Sequence, residues 1–340
     1  MRSRKGDQPG PKRPTLTDVA ALAGVSMMTA SRAMNGERYV SAAATEKVRA
    51  AAAELGFVPH QGARSLATNR TDSVALIAPM AGERFFNDPN IAPMIAGASS
   101  RLTELGSQLV VLIAGGSEQA DRARDHVLAR HVDGAIILSP QIIPDVMEKL
   151  LDANVPLAAT GSLDERPGLD VVDVDIESAV ARSVQRLLDE GCTAIGLIAG
   201  PLDDPRSQLQ YAAYDRELPA AHPRTVARGD YSVRAGSTAA GELLGAGRVD
   251  GLVVCGDAMA VGAITTLQEQ GRKVPEDVKV IGFDDSSLAE TTVPPLTTTR
   301  VPFFDIGARM AELVWERVRE PGRPGSRTVV DSTLIVRSSG

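Results

Sequence analysis

The sequence predicts an α/β protein in which a small three-helix domain of helix-turn-helix type precedes two α/β lobes. Three observations lead there. Helix-capping residues recur at short intervals over the first sixty positions, continuous apolar runs alternate with helix-like segments from Ser73 onward, and 340 residues exceed what one hydrophobic core usually serves. A composition of 43% hydrophobic and 23% charged residues is that of a globular chain and excludes fibrous and wholly disordered classes.

Residues 1–14 are basic, rich in Pro and Gly and without apolar periodicity, and read as a disordered arm. Thr15-x-x-Asp18 is a capping box that starts a first short helix, which Gly24 ends by taking the left-handed conformation. Ser26 caps a second helix from Met27 to about Met34, ended by Asn35-Gly36. Ser41 caps a third, from Ala42 to Leu55, ended by Gly56, and the domain closes at Pro59. The stretch 60–71 is short, polar and interrupted by Gly62, and reads as a linker or a weak helix.

From Ser73 the apolar runs 74–79, 109–113, 134–138, 156–159, 195–200, 251–255 and 280–283 alternate with helix-like segments such as 93–105, 118–130, 144–153, 176–190, 233–246 and 258–271. Continuous rather than alternating apolar strands mean parallel sheet covered on both faces. A 72–340 region of this kind divides into two lobes.

The net charge of -7 hides an imbalance. Residues 1–70 hold eleven Lys and Arg against five Asp and Glu, a balance of +6, which leaves -13 on the rest. The basic end is therefore the candidate for a polyanionic partner. Two cysteines, Cys192 and Cys255, are too few for a disulfide framework and lack zinc spacing, which favours a reducing compartment. The N-terminus has no apolar signal segment and no run of about 18 apolar residues occurs, so a cytoplasmic protein with no membrane partner is expected.

Ala20, Gly24 and Ala30 have the spacing of a helix-turn-helix: a small residue at the helix crossing, a tight turn, and an apolar residue facing back. On the second helix Met27, Met28, Ser31, Arg32 and Asn35 share one face, with Thr29 at its margin. That short, mostly uncharged face with a single Arg suits a helix whose N-terminal end enters the major groove. Arg32 can donate two bonds to guanine, and Met27 and Met28 can pack on thymine methyls. Single-stranded or RNA binding needs aromatic platforms, and residues 1–70 offer only Tyr39 and Phe57.

The segments TLTDVAALAGVSMMTASRAMNG and VSAAATEKVRAAAAELGFVPHQGARSLAT resemble the DNA-binding end of the lactose repressor (LacI/GalR) family of bacterial transcription regulators. The pattern is carried by Thr15, Asp18, Val19, Ala20, Ala23 to Ser26, Thr29, Ser31, Arg32, Asn35, Glu54 and Pro59, with Ala30 where Val is usual. The resemblance implies that Thr15 and the second helix contact DNA and that 60–71 is a hinge helix entering the minor groove. It puts Ala63 and Leu66 at the DNA, Leu66 as a wedge that unstacks a base step and bends the duplex.

It continues through DDPRSQLQYAAY, CGDAMAVGAITTLQEQGRKVPEDVKVIGFDDSSLA and PPLTTTRVP. What it implies is a two-lobed, periplasmic-binding-protein-like (type I) α/β core with an effector in the inter-lobe cleft. Crossings between lobes would fall near Val172, Arg300 and Arg327, giving a first lobe of about 72–172 with 301–326 and a second of about 173–299 with 328–340. Effector-binding positions implied are Gln210, Tyr231, Asp257, Asp284 and Phe303. Asp257 and Asp284 follow apolar strands, where open parallel sheets present ligand groups. Capping is the first reading of Asp257, since a helix begins right after it, and ligand contact that of Asp284.

Three positions depart from the family: Gln210 stands for the Arg that commonly bonds a sugar, Gly256 for Asn or Ser, and Val301 for Gln. The loss of a charged fork and two polar groups leaves a sugar-like effector, a less polar one, or a degenerate effector site as the open readings. A solute-binding protein is the other alternative, and it would need a signal peptide.

An enzyme is not expected. No phosphate-binding glycine loop, metalloprotease helix or nucleophile elbow occurs. His126 and His131 read as surface positions and the two cysteines as strand-end thiols, with no metal and no cofactor implied. The expectation is a transcription regulator, a repressor, that binds a pseudo-palindromic double-stranded operator as a homodimer or higher oligomer and answers to a small-molecule effector.

Overall fold

The computed structural model describes residues 14–34, 39–57, 70–80, 82–161 and 166–340. The expectations for the arm before Pro14, for Asn35 and for the hinge with Ala63 and Leu66 lie outside the described residues. The chain divides into two compact units, Met1–Thr71 and Asp72–Gly340.

The first unit contains α1 (Leu16–Ala23), α2 (Met27–Met34) and α3 (Ala42–Leu55). Local chemistry sets their ends. Thr15 Oγ1 accepts from the Asp18 amide while Asp18 accepts from the Thr15 amide, so both partners of the capping box are engaged. Ser26 Oγ accepts from the Thr29 amide at 3.1 Å, Ser41 Oγ accepts from the Ala44 amide at 3.3 Å, and Gly24 and Gly56 close α1 and α3 in the left-handed region. Val19, Ala20, Ala30, Ala33, Val48, Ala51 and Ala52 form a core of mostly small side chains, which lets three short helices approach closely.

The second unit begins with β1 (Ser73–Ala78), α4 (Gly82–Asn87), α5 (Ile91–Glu104), β2 (Gln108–Ile113), α6 (Ser117–Leu128), β3 (Gly134–Ile137), α7 (Pro144–Asp152), β4 (Leu157–Thr160) and β5 (Leu169–Val174). The chain then builds a second lobe from α8 (Ile176–Asp189), β6 (Ile195–Ala199), α9 (Pro205–Glu217), β7 (Thr225–Arg228), α10 (Val233–Ala246), β8 (Gly251–Val254), α11 (Asp257–Glu269), β9 (Lys279–Asp284) and β10 (Thr297–Arg300). It returns through α12 (Phe303–Arg319) and β11 (Ser326–Val330) and adds β12 (Thr333–Ile335) to the second sheet.

Each lobe is a six-stranded sheet, ordered β11-β5-β4-β3-β1-β2 and β12-β10-β9-β8-β6-β7. All pairings are parallel except β10 with β12. Strands β1, β3, β6 and β8 are buried along their whole length, which is why their sequences are continuously apolar.

The third crossing needs correction. Arg327, expected at the change of lobe, lies inside β11, whose five residues pair with β5 from Ser326 with Asp170 to Val330 with Val174. The chain changes sheets only between Val330 and Thr333. Nothing in SRTVV interrupts strand pairing, so β11 runs to its full length before the chain leaves.

Two devices fix the return segment. Helices α5 and α12 touch at Gly97 and Gly307, where a Cβ would overlap the Phe304 and Met94 carbonyls respectively. Farther along, the fully buried Asp170 accepts from Arg317 Nε at 3.0 Å, Arg323 Nη2 at 2.7 Å and Ser326 Oγ at 2.6 Å, tying β5 to the end of α12 and the start of β11. Among the described residues no helix is long and apolar enough to cross a membrane.

Removing Asp170 strands buried guanidinium charge. Asp170→Ala should cost about 3–5 kcal/mol of stability. Urea denaturation followed by far-UV circular dichroism checks this, and a loss below about 1 kcal/mol would mean that the two arginines find other acceptors.

Candidate functional site

In the first unit α2 presents the predicted face. Met27 and Met28 are 59% and 63% exposed although they are apolar, and Arg32 is exposed beside half-buried Ser31. Ala30 and Ala33 point into the core, so the outward side is fixed by the same packing that holds the helix. Thr29 is engaged with the cap, its Oγ1 lying 2.8 Å from Ser26 Oγ, and Thr15 is engaged with Asp18 at 2.7 Å. Both hydroxyls are therefore oriented by helix capping. Thr17 Oγ1 donates to Met27 Sδ at 3.7 Å, which orients one of the two exposed thioethers.

In the second unit, the carboxyl ends of parallel strands gather the polar groups. The order β7-β6-β8-β9 makes β6 and β8 the switch point of that sheet, where open α/β sheets bind ligands. Asp284 ends β9, Tyr231 follows β7, and both have positive φ, 111° and 69°. Asp285 at 55° and, in the other lobe, Ser139 at 46° share this feature. Such residues cost roughly 1–3 kcal/mol each and persist where the surroundings over-determine them.

Asp284 is 8% exposed. Its Oδ1 accepts from Arg206 Nη2 at 2.7 Å and its Oδ2 accepts from Asn90 Nδ2 at 2.9 Å. Burial raises its pKa above the usual carboxylate range, against the opposing pull of Arg206, while Asp284 and the neighbouring Tyr231 and Asp204 raise that of Arg206 despite burial. The guanidinium also lies over the Phe283 ring, 5.1 Å from its centroid.

Arg206, which the sequence reading did not single out, places a guanidinium one helical turn before Gln210 on the same face of α9. Sequence matching by position missed it because the partner, Asp284, is 78 residues away. Gln210 itself is fully buried, and neither its Oε1 nor its Nε2 has a hydrogen-bond partner in the protein. That leaves the two N–H donors and the carbonyl acceptor of the amide unspent.

Tyr231 Oη donates to Asp204 Oδ2 at 2.6 Å, and Asp204 also caps α9 through its other oxygen. Burial pushes the Tyr231 phenol well above its ordinary pKa. The ring occupies the space beside Gly200, where a Cβ would overlap its hydroxyl, and its Cδ1 is 3.6 Å from where a Gly256 Cβ would stand. A Cβ at Gly256 would thus make only ordinary van der Waals contact with Tyr231. Val301 is buried, and Phe303, at the start of α12, is half-buried against the core.

Asp257 does not cap α11, as its capping reading required. Its Oδ2 accepts from the Ser286 amide at 2.7 Å and its Oδ1 from Thr298 Oγ1 at 2.6 Å, so it holds the loop that carries Asp284 and Asp285. Asp285 in turn pairs with Arg300 at 2.6 Å and Arg337 at 2.7 Å. Burial first, and the Asp284 charge second, push the Asp257 carboxyl up to about 7.

Cys255 and Cys192 are buried, with thiols pushed up by burial to about 12 and about 11, which keeps them protonated at neutral pH. Among the described residues no cluster of His, Cys, Asp and Glu could hold a metal ion.

Residues 15–60 match the family model for bacterial regulatory proteins of the lacI family, and residues 184–340 that for a periplasmic binding protein-like domain. The HTH-type transcriptional regulator CelR of Thermobifida fusca is 36% identical over 97% of this chain and 99% of its own length. The HTH-type transcriptional repressor CytR of Escherichia coli is 30% identical over 96% of each. Among solved structures, a Lac repressor dimer bound to operator and an anti-inducer aligns with a TM-score of 0.85 at 29% identity, covering 96% of this chain and 99% of that one. A complex of the regulator CelR with cellobiose aligns with 0.74 at 35% identity, covering 96% and 100%.

Two outcomes follow from the cleft geometry. Gln210→Met removes two buried, unbonded polar atoms that together cost at least about 2 kcal/mol, and should raise the thermal midpoint by at least about 4 °C in calorimetry. A lowered midpoint would mean that the amide is bonded. Asp257 holds a proton in the fold between its unfolded value of 3.8 and about 7, where the unfolded chain has lost it. Stability should fall as pH rises through that window, by up to about 1.4 kcal/mol per unit, and Asp257→Asn should flatten the slope of urea midpoints measured from pH 4 to 8.

With both family models matched and a relative 36% identical along nearly its whole length, the chain belongs to the lacI family of bacterial regulatory proteins: it is a DNA-binding transcription regulator and not an enzyme.

Proposed function

We propose that this regulator is a cytoplasmic repressor that binds a pseudo-palindromic operator as a homodimer through α2 and is controlled by a small neutral effector in the cleft. The observation that carries the DNA half is the outward face of α2, with Met27, Met28, Ser31 and Arg32 held out by a core of Val19, Ala20, Ala30 and Ala33. Thr15 and Thr29 serve as backbone and margin contacts, Asn35 as a further DNA contact, and Ala63 and Leu66 act in the minor groove. The likeness to a Lac repressor dimer on its operator supports the two-fold arrangement.

The effector half rests on Gln210. A buried amide with an unspent donor and acceptor suits a ligand group that both accepts and donates, such as a hydroxyl, and the CelR complex with cellobiose supports a saccharide. Asp284, Tyr231 and Phe303 line the same cleft in this reading, and Asp257 supports it from below. A second reading, a core that works without ligand, is favoured by Asp284 having both oxygens already bonded within the protein. The orphan amide of Gln210 weighs against it.

Arg32→Ala should relax specificity at one base pair of each half-site by roughly 1–3 kcal/mol while leaving non-specific affinity nearly unchanged. Selection of bound duplexes from a random pool, followed by titration of the selected operator and a scrambled one at fixed salt, measures both. Equal loss on the two duplexes would reduce Arg32 to a phosphate contact.

A further inference from the structure

Oxidisable sulfur is spread unevenly over this chain. Of its nine methionines, Met27 and Met28 are 59% and 63% exposed, whereas Met94, Met147, Met259 and Met310 are buried and Met34 and Met80 half-buried. Cys192 and Cys255 are no competitors: both are buried, and burial keeps their thiols protonated at neutral pH. Among the described residues, the sulfurs most open to a dissolved oxidant are therefore the first two side chains of α2. They stand outside because Ala30 and Ala33 give that helix its buried side.

We propose that Met27 and Met28 are an oxidation site through which hydrogen peroxide lowers the affinity of this regulator for its operator. The inference rests on α2 reading bases. The thioether sulfur gives its lone pair to one peroxide oxygen, an S–O bond forms as the O–O bond breaks, and the second oxygen takes the proton of the first and leaves as water; sulfur is oxidised, and peroxide reduced, by two electrons. The product keeps its place on the helix and changes its chemistry, from an apolar thioether to a strong acceptor with no hydrogen to donate. Against a thymine methyl a sulfoxide loses its water and gains no bond, and against O4, O6 or N7 it meets another acceptor. Only the amino groups of cytosine and adenine can bond it, so the affinity that remains shifts to other sequences. Thr17 is placed to hold the product, since its hydroxyl already donates to Met27 Sδ at 3.7 Å and oxidation puts a better acceptor on the same group. The loss should be about 10-fold or more at each half-site, and reduction of the sulfoxides restores the reading face.

The test treats the full chain with hydrogen peroxide and follows each methionine by peptide mass spectrometry. Met27 and Met28 should convert first, and earlier conversion of Met94, Met147, Met259, Met310 or either cysteine overturns the site. Protein oxidised at the two positions is then titrated at fixed salt with the duplex selected from a random pool. Affinity should fall about 10-fold or more per half-site and return after treatment with methionine sulfoxide reductases, with the far-UV circular dichroism spectrum unchanged throughout. Undiminished affinity, or loss of helix on oxidation, would overturn the switch. The double variant Met27→Leu, Met28→Leu, compared with itself before and after peroxide, should not respond; a response equal to that of wild type places the sensitive group elsewhere. The double variant Met27→Ala, Met28→Ala separates the two levels of the argument. If it binds the selected duplex as tightly as wild type, these residues do not read bases and the underlying reading fails; if it binds weakly while the sulfoxide form does not, only the switch fails.

Discussion

A carboxylate removed from water has to be satisfied completely, and in the second unit that requirement at Asp284 organises everything near it. Burial disfavours its charge, so a guanidinium is held 2.7 Å away, which fixes Arg206 and with it the start of α9. Asp204, which caps that helix, receives the Tyr231 hydroxyl, and Tyr231 in turn excludes any side chain at Gly200. Beneath, Asp257 and Asp285 hold the loop with bonds to Ser286, Thr298, Arg300 and Arg337. The three positive-φ residues of this lobe's cleft edge, Tyr231, Asp284 and Asp285, survive because each is held by side-chain bonds of this network.

What the sequence disclosed depended on how far each interaction reaches along the chain. Helix ends at Thr15, Ser26, Ser41, Gly24 and Gly56 are decided within four residues, and all were legible. Strands buried on both faces announce themselves by composition, as β1, β3, β6 and β8 do. β10 gave no such sign: its sequence is TTTR, yet Thr297, Thr298 and Thr299 are fully buried. Thr297 is satisfied by Ser339 and Gly340 and Thr298 by Asp257, all about forty residues away, and no local pattern encodes that. β5 hides in the same way, its inward Asp170 being matched by Arg317 and Arg323.

The candidate site divides along the same line. The outward face of α2 was readable because helical spacing alone defines it. The departure at Gln210 was visible, but the ion pair one turn earlier on α9 was not, because Asp284, the partner of Arg206, lies 78 residues along the chain. Asp257 was misread for a related reason: its place ahead of a helix suggested a cap, while its bonds run to a loop and a strand.

The three crossings between the lobes also determine when the molecule can exist. The first lobe lacks α12 and the edge strand β11 until residue 330 has been made, and the second lacks β12 until residue 335. Neither sheet is complete before the last strands are made, so final assembly of the core waits for its C-terminal segment to emerge. The three-helix unit, closed within the first sixty residues, has no such dependence. During synthesis the part that meets DNA is complete more than two hundred and fifty residues before the part that governs it, and every nascent chain passes through a stage at which the reader exists without its control.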